Sequence, residues 1–164
     1  MEPRWLSEDE MAAWRRLVAV VELLPGVLDG QLRRDAQLTH FDYHVLAMLS
    51  EAPHRVLRMT DLATRTNATL PRLSHVVRRL EERGLVERAP CPSDGRATNA
   101  RLTEAGWATV RATAPGHVAT VREHVVDALS PEQVTQLAGI ADALLRRLDP
   151  DGRLTGALDQ SRRP

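Results

Sequence analysis

Apolar residues near the start of the chain recur in steps of three and four, at Met11, Trp14, Val18, Val21, Leu28 and Leu32, the spacing of one buried stripe on a helix. Ser7 to Glu10 precedes them with capping-box spacing: a serine oxygen for an orphan backbone N–H and a glutamate that reaches back to the cap. The stripe lacks one member, Pro25, which has no N–H and clashes with the preceding turn. Gly26 follows it, so the pattern predicts a kink or break near residues 21–26. Thr39 is placed to cap a second helix reaching about Ser50, with Phe41, Val45, Leu46 and Leu49 inward and Ala52-Pro53 as its stop. Arg55-Val56-Leu57-Arg58 alternates as a short strand does, and Thr60 is expected to cap a brief helix ending at Thr66.

After the turn Thr66-Asn67-Ala68, Thr69 caps a longer helix over residues 69–83, in which Pro71 falls in the first turn, where N–H groups are unpaired anyway. Leu73, Val76, Val77 and Leu80 form its buried stripe and Gly84 suits its C-terminal stop. The opposite face displays Arg72, Ser74, His75, Arg78 and Arg79. Residues 85–89 and 97–103 then read as a two-stranded hairpin whose tip carries two prolines, Cys91 and Ser93-Asp94-Gly95-Arg96. From Thr103 to Leu129 the residues Trp107, Val110, Ala114, Val118, Val121, Val125 and Ala128 restore the helical period, and Pro115-Gly116 predicts a second kink. Ser130 to Gln133 is another capping box, opening a helix with Val134, Leu137, Ala141, Leu144 and Leu148 at heptad spacing. Residues 150–164 are polar and bear Pro and Gly, as a loose tail does, and the chain shows no internal repeat.

Charge sharpens this picture. All 22 cations are arginine, balanced by 22 acids, and a chain of 164 residues with 43% hydrophobic content suits one core. The zero total conceals an asymmetry, because residues 55–101 hold ten arginines against Asp61, Glu81, Glu82, Glu87 and Asp94, a local net of +5 that the flanks offset. A basic middle between acidic flanks points to a polyanion partner confined to the middle. The single cysteine cannot make an internal disulfide, and no apolar run approaches a signal-peptide core or a membrane span. The expectation is a soluble cytoplasmic protein with no membrane contact.

Two helices at 60–66 and 69–83 followed by a hairpin at 85–102 is the order of a winged helix-turn-helix. Short helix pairs are equally at home in bundles with no DNA role, so the arginine-bearing hairpin and the local charge decide for nucleic acid. A helix N-terminus offers N–H groups to phosphate, and side chains of its first two turns reach base edges in the major groove. Thr69, Pro71, Arg72, Ser74 and His75 occupy those turns, and Arg78 and Arg79 beyond them suit phosphate.

His40 and His44 lie four apart and His117 and His124 seven apart, spacings compatible with shared metal ligation, yet no Cys or Glu completes a set, so no metal or other cofactor is expected. Cys91 reads as an incidental thiol. Ser74 and His75 are helix neighbours that point apart, and no phosphate loop or carboxylate pair is present, so no enzyme is expected. The alternative is a helical adaptor whose heptad ends bind a protein.

The stretch Leu62–Val110 resembles the DNA-binding core of the MarR family, the multiple antibiotic resistance regulators, above all in RLEERGLVER at 79–88, the Asp-x-Arg at Asp94 to Arg96, and LTEAG at 102–106. With the flanking helices the resemblance extends over residues 10–148. It implies a mainly α fold, a winged helix-turn-helix with a two-stranded β wing over residues 37–103, flanked by N- and C-terminal dimerisation helices at 1–36 and 104–149, with 150–164 a flexible tail. It further implies a homodimeric repressor that straddles a pseudo-palindromic double-stranded DNA operator. The family's wing arginine maps to Arg96, entering the minor groove, and the aspartate that orients it maps to Asp94. Independently of the family, an arginine at a hairpin tip suits a narrow, electronegative minor groove. In the middle of the reading helix the family carries a hydroxyl or small residue and then a longer polar one. Here these are Ser74 and His75, the latter expected on phosphate. A small effector, phenolic or anionic, is implied between the dimerisation helices and the winged domain, where Trp14, Arg15, Tyr43 and His44 would supply apolar walls and a polar handle.

Overall fold

In the computed structural model, which describes residues 3–156, helix α1 spans Glu8–Ala36 and α2 His40–Glu51, followed by strand β1 (Val56–Arg58), α3 (Met59–Arg65) and α4 (Leu70–Glu82). Strands β2 (Val86–Cys91) and β3 (Asp94–Leu102) make a hairpin, and α5 (Glu104–Val121) and α6 (Pro131–Leu148) complete the chain. The three expected N-terminal caps on α1, α2 and α6 are all capping boxes: Ser7 with Glu10, Thr39 with Asp42 and Ser130 with Gln133. Thr69 caps α4 by accepting the Arg72 N–H.

Where the sequence predicts a kink or break at Pro25 and a kink at Pro115-Gly116, neither helix breaks; α1 and α5 run through both prolines. Both prolines are exposed, as are the residues one turn earlier, Val21 and Arg111, whose carbonyls lose their helical partner. Water can satisfy those carbonyls, so each proline costs one hydrogen bond and some local bending rather than the helix. The real irregularity follows α5, where Arg122–Val126 form a π-helical turn. Thr60 is likewise not a cap: α3 begins at Met59 after extended Arg58, with no side-chain cap. The buried Met59 side chain anchors that helix start instead.

The core lies among α2, α3, α4 and the sheet, with Leu32, Leu38, Val45, Leu46, Leu49, Leu62, Leu73, Val77 and Leu80 without solvent contact. The sheet has a third strand beyond the hairpin. Its antiparallel order is β1-β3-β2, with Leu57 opposite Ala100 and Arg88 also opposite Ala100, whose methyl is fully buried. A two-residue turn, Pro92-Ser93, closes the wing, and the register shifts between Pro90 and Cys91.

One junction sets how α4, the hairpin and α5 meet. Gly84 takes φ 69°, a left-handed conformation that glycine adopts without strain, and lets the Leu85 N–H close on Leu80 O at 3.0 Å. The Thr103 hydroxyl donates to Gly84 O at 2.7 Å and accepts the Gly106 N–H at 3.0 Å, while the Thr103 N–H donates to Leu85 O at 3.1 Å. Gly106 then passes so close that a Cβ on it would stand 2.1 Å from Leu85 O and 2.6 Å from Leu102 Cδ1.

Other surfaces are left apolar. Helix α6 buries none of its residues, and Val134, Leu137, Ile140, Leu144 and Leu148 are exposed along it. On α1 only Leu28, Gln31 and Leu32 are buried, while Trp14, Leu17, Val20, Val21 and Leu23 are open. Beyond α6, Asp149 accepts the backbone N–H groups of Arg153, Leu154 and Thr155, folding residues 150–156 into a turn; the rest of the expected tail, 157–164, lies outside the described residues. Among the described residues no helix is long and apolar enough to cross a membrane.

Replacing Gly106 by alanine must displace backbone rather than a flexible side chain, so Gly106→Ala is expected to cost about 3 kcal/mol, at the upper end for overpacking. Gly95→Ala meets nothing within 4 Å and should stay within about 0.5 kcal/mol. Urea denaturation of both variants checks this; equal midpoints would mean that the junction is soft.

Candidate nucleic-acid interface

Helix α4 forms a ridge between two concave surfaces. On one flank Ser74 and Leu70 face the wing across a groove of about 210 Å³ lined also by Arg58, Thr60, Arg88, Arg96 and Thr98. On the other, Arg72, His75, Val76 and Arg79 face Pro25, Gly26 and Asp29 of α1 and Thr39, His40 and Phe41 of α2 across a cavity of about 780 Å³. The expected site residues are thus brought together in two sets, Ser74 with Arg96 and Arg72 with His75 and Arg79. Thr69 and Pro71 hold the first turn of the helix itself.

Several arginines of the basic segment turn out to be structural. Arg88 takes both oxygens of Glu81, through its backbone N–H and Nε at 2.8 Å each, and so pins β2 to the last turn of α4. Arg101 pairs with Glu87 directly opposite it on β2. Arg83 donates to the carbonyls of Ala36 and Gln37 at the end of α1, and Arg55 bonds Glu104 at 2.9 Å while lying over the Trp107 ring. Arg79 donates to Asp42 at 2.5 Å, and that carboxylate is only 4% exposed. Of the arginines in residues 55–101, Arg65, Arg72, Arg78, Arg83 and Arg96 have no carboxylate partner among the described residues; Arg83 is held by carbonyls and Arg78 lies 3.1 Å from His75 Nδ1.

At the wing tip Asp94 accepts the backbone N–H of Arg96 at 3.2 Å, and its other oxygen stands 3.9 Å from Arg58. Asp94 therefore shapes the turn beneath Arg96 and leaves the guanidinium free. Arg58 is a groove residue that the sequence reading missed, since nothing in a three-residue strand says which end will face the wing. Cys91 is buried, and a hydrogen bond with Ser93 holds its thiol below the usual range.

The four residues expected at an effector site do not converge within this chain. Tyr43 is buried on α2 with its ring centroid 4.7 Å from that of His117, and His44 Nε2 lies 3.5 Å from Arg65 O. Trp14 and Arg15 stand on the open part of α1, about 20 Å along the helix axis before the buried Leu28. The structure instead groups His40, Tyr43 and His117, the two imidazoles 6.3 Å apart, beside Gln31, whose Nε2 bonds Asp35 at 2.7 Å. Gln31 Oε1 and His117 Nδ1 there are buried without a partner. Of the pair seven apart, His124 turns to its own helix at Thr120 O, while His117 packs against Tyr43. Among the described residues no group of three His, Cys, Asp or Glu could hold a metal ion.

This fold and this groove define a winged helix-turn-helix DNA-binding protein. The MarR family model matches residues 36–97. The fold superposes on Sco3205 of Streptomyces coelicolor, a MarR family transcriptional regulator solved in complex with DNA, with TM-score 0.87 and 47% identity over 91% of this chain and 93% of that one. AbsC of the same organism, also a MarR family regulator, matches with TM-score 0.85 and 42% identity over 89% and 98% of the two chains. Over 48 residues the chain is 42% identical to the transcriptional repressor IacR of Pseudomonas putida, a stretch that spans only 29% of that repressor. The chain belongs to the MarR family of DNA-binding transcriptional regulators.

Burial pushes the pKa values of His40 and His117 below the ordinary imidazole value, His40 further lowered by the neighbouring charges of His44 and His117. The unfolded chain therefore binds protons more readily than the folded one at these sites. Their contribution to stability is complete above about pH 6.5 and is lost as pH falls toward the lowered folded values. The melting temperature should fall on acidification from about pH 7.5 to about 5.5, and His117→Phe should reduce that fall. An equal fall in both proteins would remove His117 from the titration.

Proposed function

We propose that the protein is a homodimeric repressor that binds a pseudo-palindromic operator in the cytoplasm and is released by a small phenolic or anionic effector. The observation that carries the DNA-binding part is the groove shared by Ser74, on the recognition helix, Arg96, on the wing, and Arg58. In this reading the first turns of α4 enter the major groove, Arg72 and Ser74 reach base edges, and His75 and Arg78 meet phosphate. Arg96 enters the flanking minor groove, its backbone set by Asp94.

The open apolar rows on α1 and α6 support a second chain as their cover, the dimerisation region comprising residues 1–36 and 104–149. Trp14 and Arg15 then belong to that interface. The region assigned to the effector lies between α1, α2 and α4; Tyr43 and His44 do not line it, since Tyr43 packs against His117 and His44 faces Arg65. A molecule seated there would meet Arg72 and His75 directly, which gives ligand and DNA a common set of residues and hence a reciprocal coupling.

Arg96→Ala is expected to lower operator affinity without lowering the melting temperature. In a dimer it should flatten the slope of log affinity against log salt by up to about 1.8 units, one phosphate per wing. Reduced affinity with an unchanged slope would mean that Arg96 shapes the hairpin, and unchanged affinity would take the wing out of recognition.

Sedimentation at micromolar concentration should give a dimer. A folded monomer would overturn both the interface and the two-half-site arrangement.

A further inference from the structure

We infer that the first turn of α2, at Phe41 and Asp42, is the positioning element for two arginines of the recognition helix, holding Arg72 ready for base contact and withdrawing Arg79 from DNA. The inference rests on Arg72 being the base reader proposed above. Arg72 and Arg79 are seven residues apart, two turns of helix, and so share one face of α4. The two adjacent residues of α2 meet one each. The Arg72 guanidinium carbon lies over the Phe41 ring, 4.3 Å from its centroid, and Arg79 donates to Asp42 Oδ1 at 2.5 Å.

Both supports are themselves fixed. Phe41 packs against the hydrophobic core, and the second oxygen of Asp42 accepts the Thr39 N–H at 2.8 Å in the capping box of α2. A guanidinium over a ring keeps the N–H groups in its own plane, so stacking restrains the long side chain without occupying the donors that a base edge would take. A side chain already restrained loses less freedom on binding. Arg79 has the opposite fate: its charge is met by a buried carboxylate, and moving it to phosphate would leave Asp42 unpaired in the interior. Two chemically identical residues on one face thus receive different tasks from neighbours one position apart on another helix.

The test is a double-mutant cycle on the full chain, reading Kd for operator and for a random duplex of equal length in Phe41→Leu, Arg72→Ala and the double variant. Phe41→Leu should lower the selectivity ratio about five- to thirtyfold, for two stacked pairs per dimer, with random-duplex affinity and salt slope unchanged. It should add nothing in the Arg72→Ala background, and Phe41→Tyr, which keeps the ring face, should restore selectivity. A Phe41→Leu effect of equal size with and without Arg72 would show that Phe41 acts through packing, and no effect of Phe41→Leu beside a clear effect of Arg72→Ala would show that stacking positions nothing; either overturns the inference. Arg72→Ala without any loss of selectivity would instead remove the base-reading role itself, and the inference with it. For the second arginine, Arg79→Ala should lower the melting temperature and keep the wild-type salt slope, whereas Arg78→Ala should flatten the slope by up to about 1.8 units per dimer. A slope flattened as much by Arg79→Ala as by Arg78→Ala overturns the assignment of Asp42.

Discussion

The approach of Gly106 to Leu85 is the constraint on which the arrangement of the molecule turns. At that point the end of the recognition helix, the last residue of the wing and the start of α5 are locked by the Thr103 hydroxyl, which bonds Gly84 O and the Gly106 N–H together. A side chain at 106 would push α5 off the hairpin. Because α5 leads on to α6 and packs against α1, the two helices that carry the open apolar rows, this junction fixes the direction of α4 and the wing relative to whatever covers those rows. In the proposed dimer, the spacing of the two half-sites would be set by that direction as much as by the reading residues.

Charge in the winged domain does two kinds of work, and only neighbours tell them apart. Glu81, Glu87 and Asp42 hold Arg88, Arg101 and Arg79, joining strand to helix, strand to strand and helix to helix. Exposed pairs of this kind contribute little stability each, but the buried Asp42 is different, since loss of its partner would strand a charge. The net excess of cations in residues 55–101 therefore resides in the arginines without a carboxylate, Arg65, Arg72, Arg78, Arg83 and Arg96, of which Arg96 stands at the wing tip and Arg72 and Arg78 on α4. A polyanion meets a pattern rather than a cloud.

Much of this was legible in the sequence, wherever the signal is local. Ser7, Thr39, Thr69 and Ser130 cap as their spacing predicts because a cap needs only its own next three residues. The stripe Leu73, Val76, Val77 and Leu80 is buried as the helical period requires. What failed depended on surroundings. Pro25 and Pro115 signal a break only where the freed carbonyl has no solvent, and both face water. The partnership of β1 with β3 joins residues some forty positions apart, and no pattern within Val56–Arg58 announces it. The candidate site was half legible for the same reason: Ser74, Arg72 and Arg96 stand out by residue type and place, while the placing of Arg58 in the same groove, near Asp94, and the pairing of Arg79 with Asp42 are contacts that only folding creates.

If Arg72 reads DNA as proposed, the first turn of α2 links that contact to the cavity between α1, α2 and α4. Asp29 of α1 accepts the His40 N–H at 2.9 Å and pairs with Arg33, so the start of α2 is tied to α1 on one side while Phe41 and Asp42 touch α4 on the other. The cavity of about 780 Å³ lies between these ties and is walled by all three helices. Packed interiors transmit displacement rather than absorb it, so a shift of α1 against α2 reaches Arg72 and Arg79 through two adjacent residues. A ligand changes DNA affinity only by as much as it prefers one spacing of these helices to another. Under the proposed reading the route is identifiable, because two of the residues that line the cavity on the α4 side, Arg72 and Arg79, are the arginines that Phe41 and Asp42 of α2 meet.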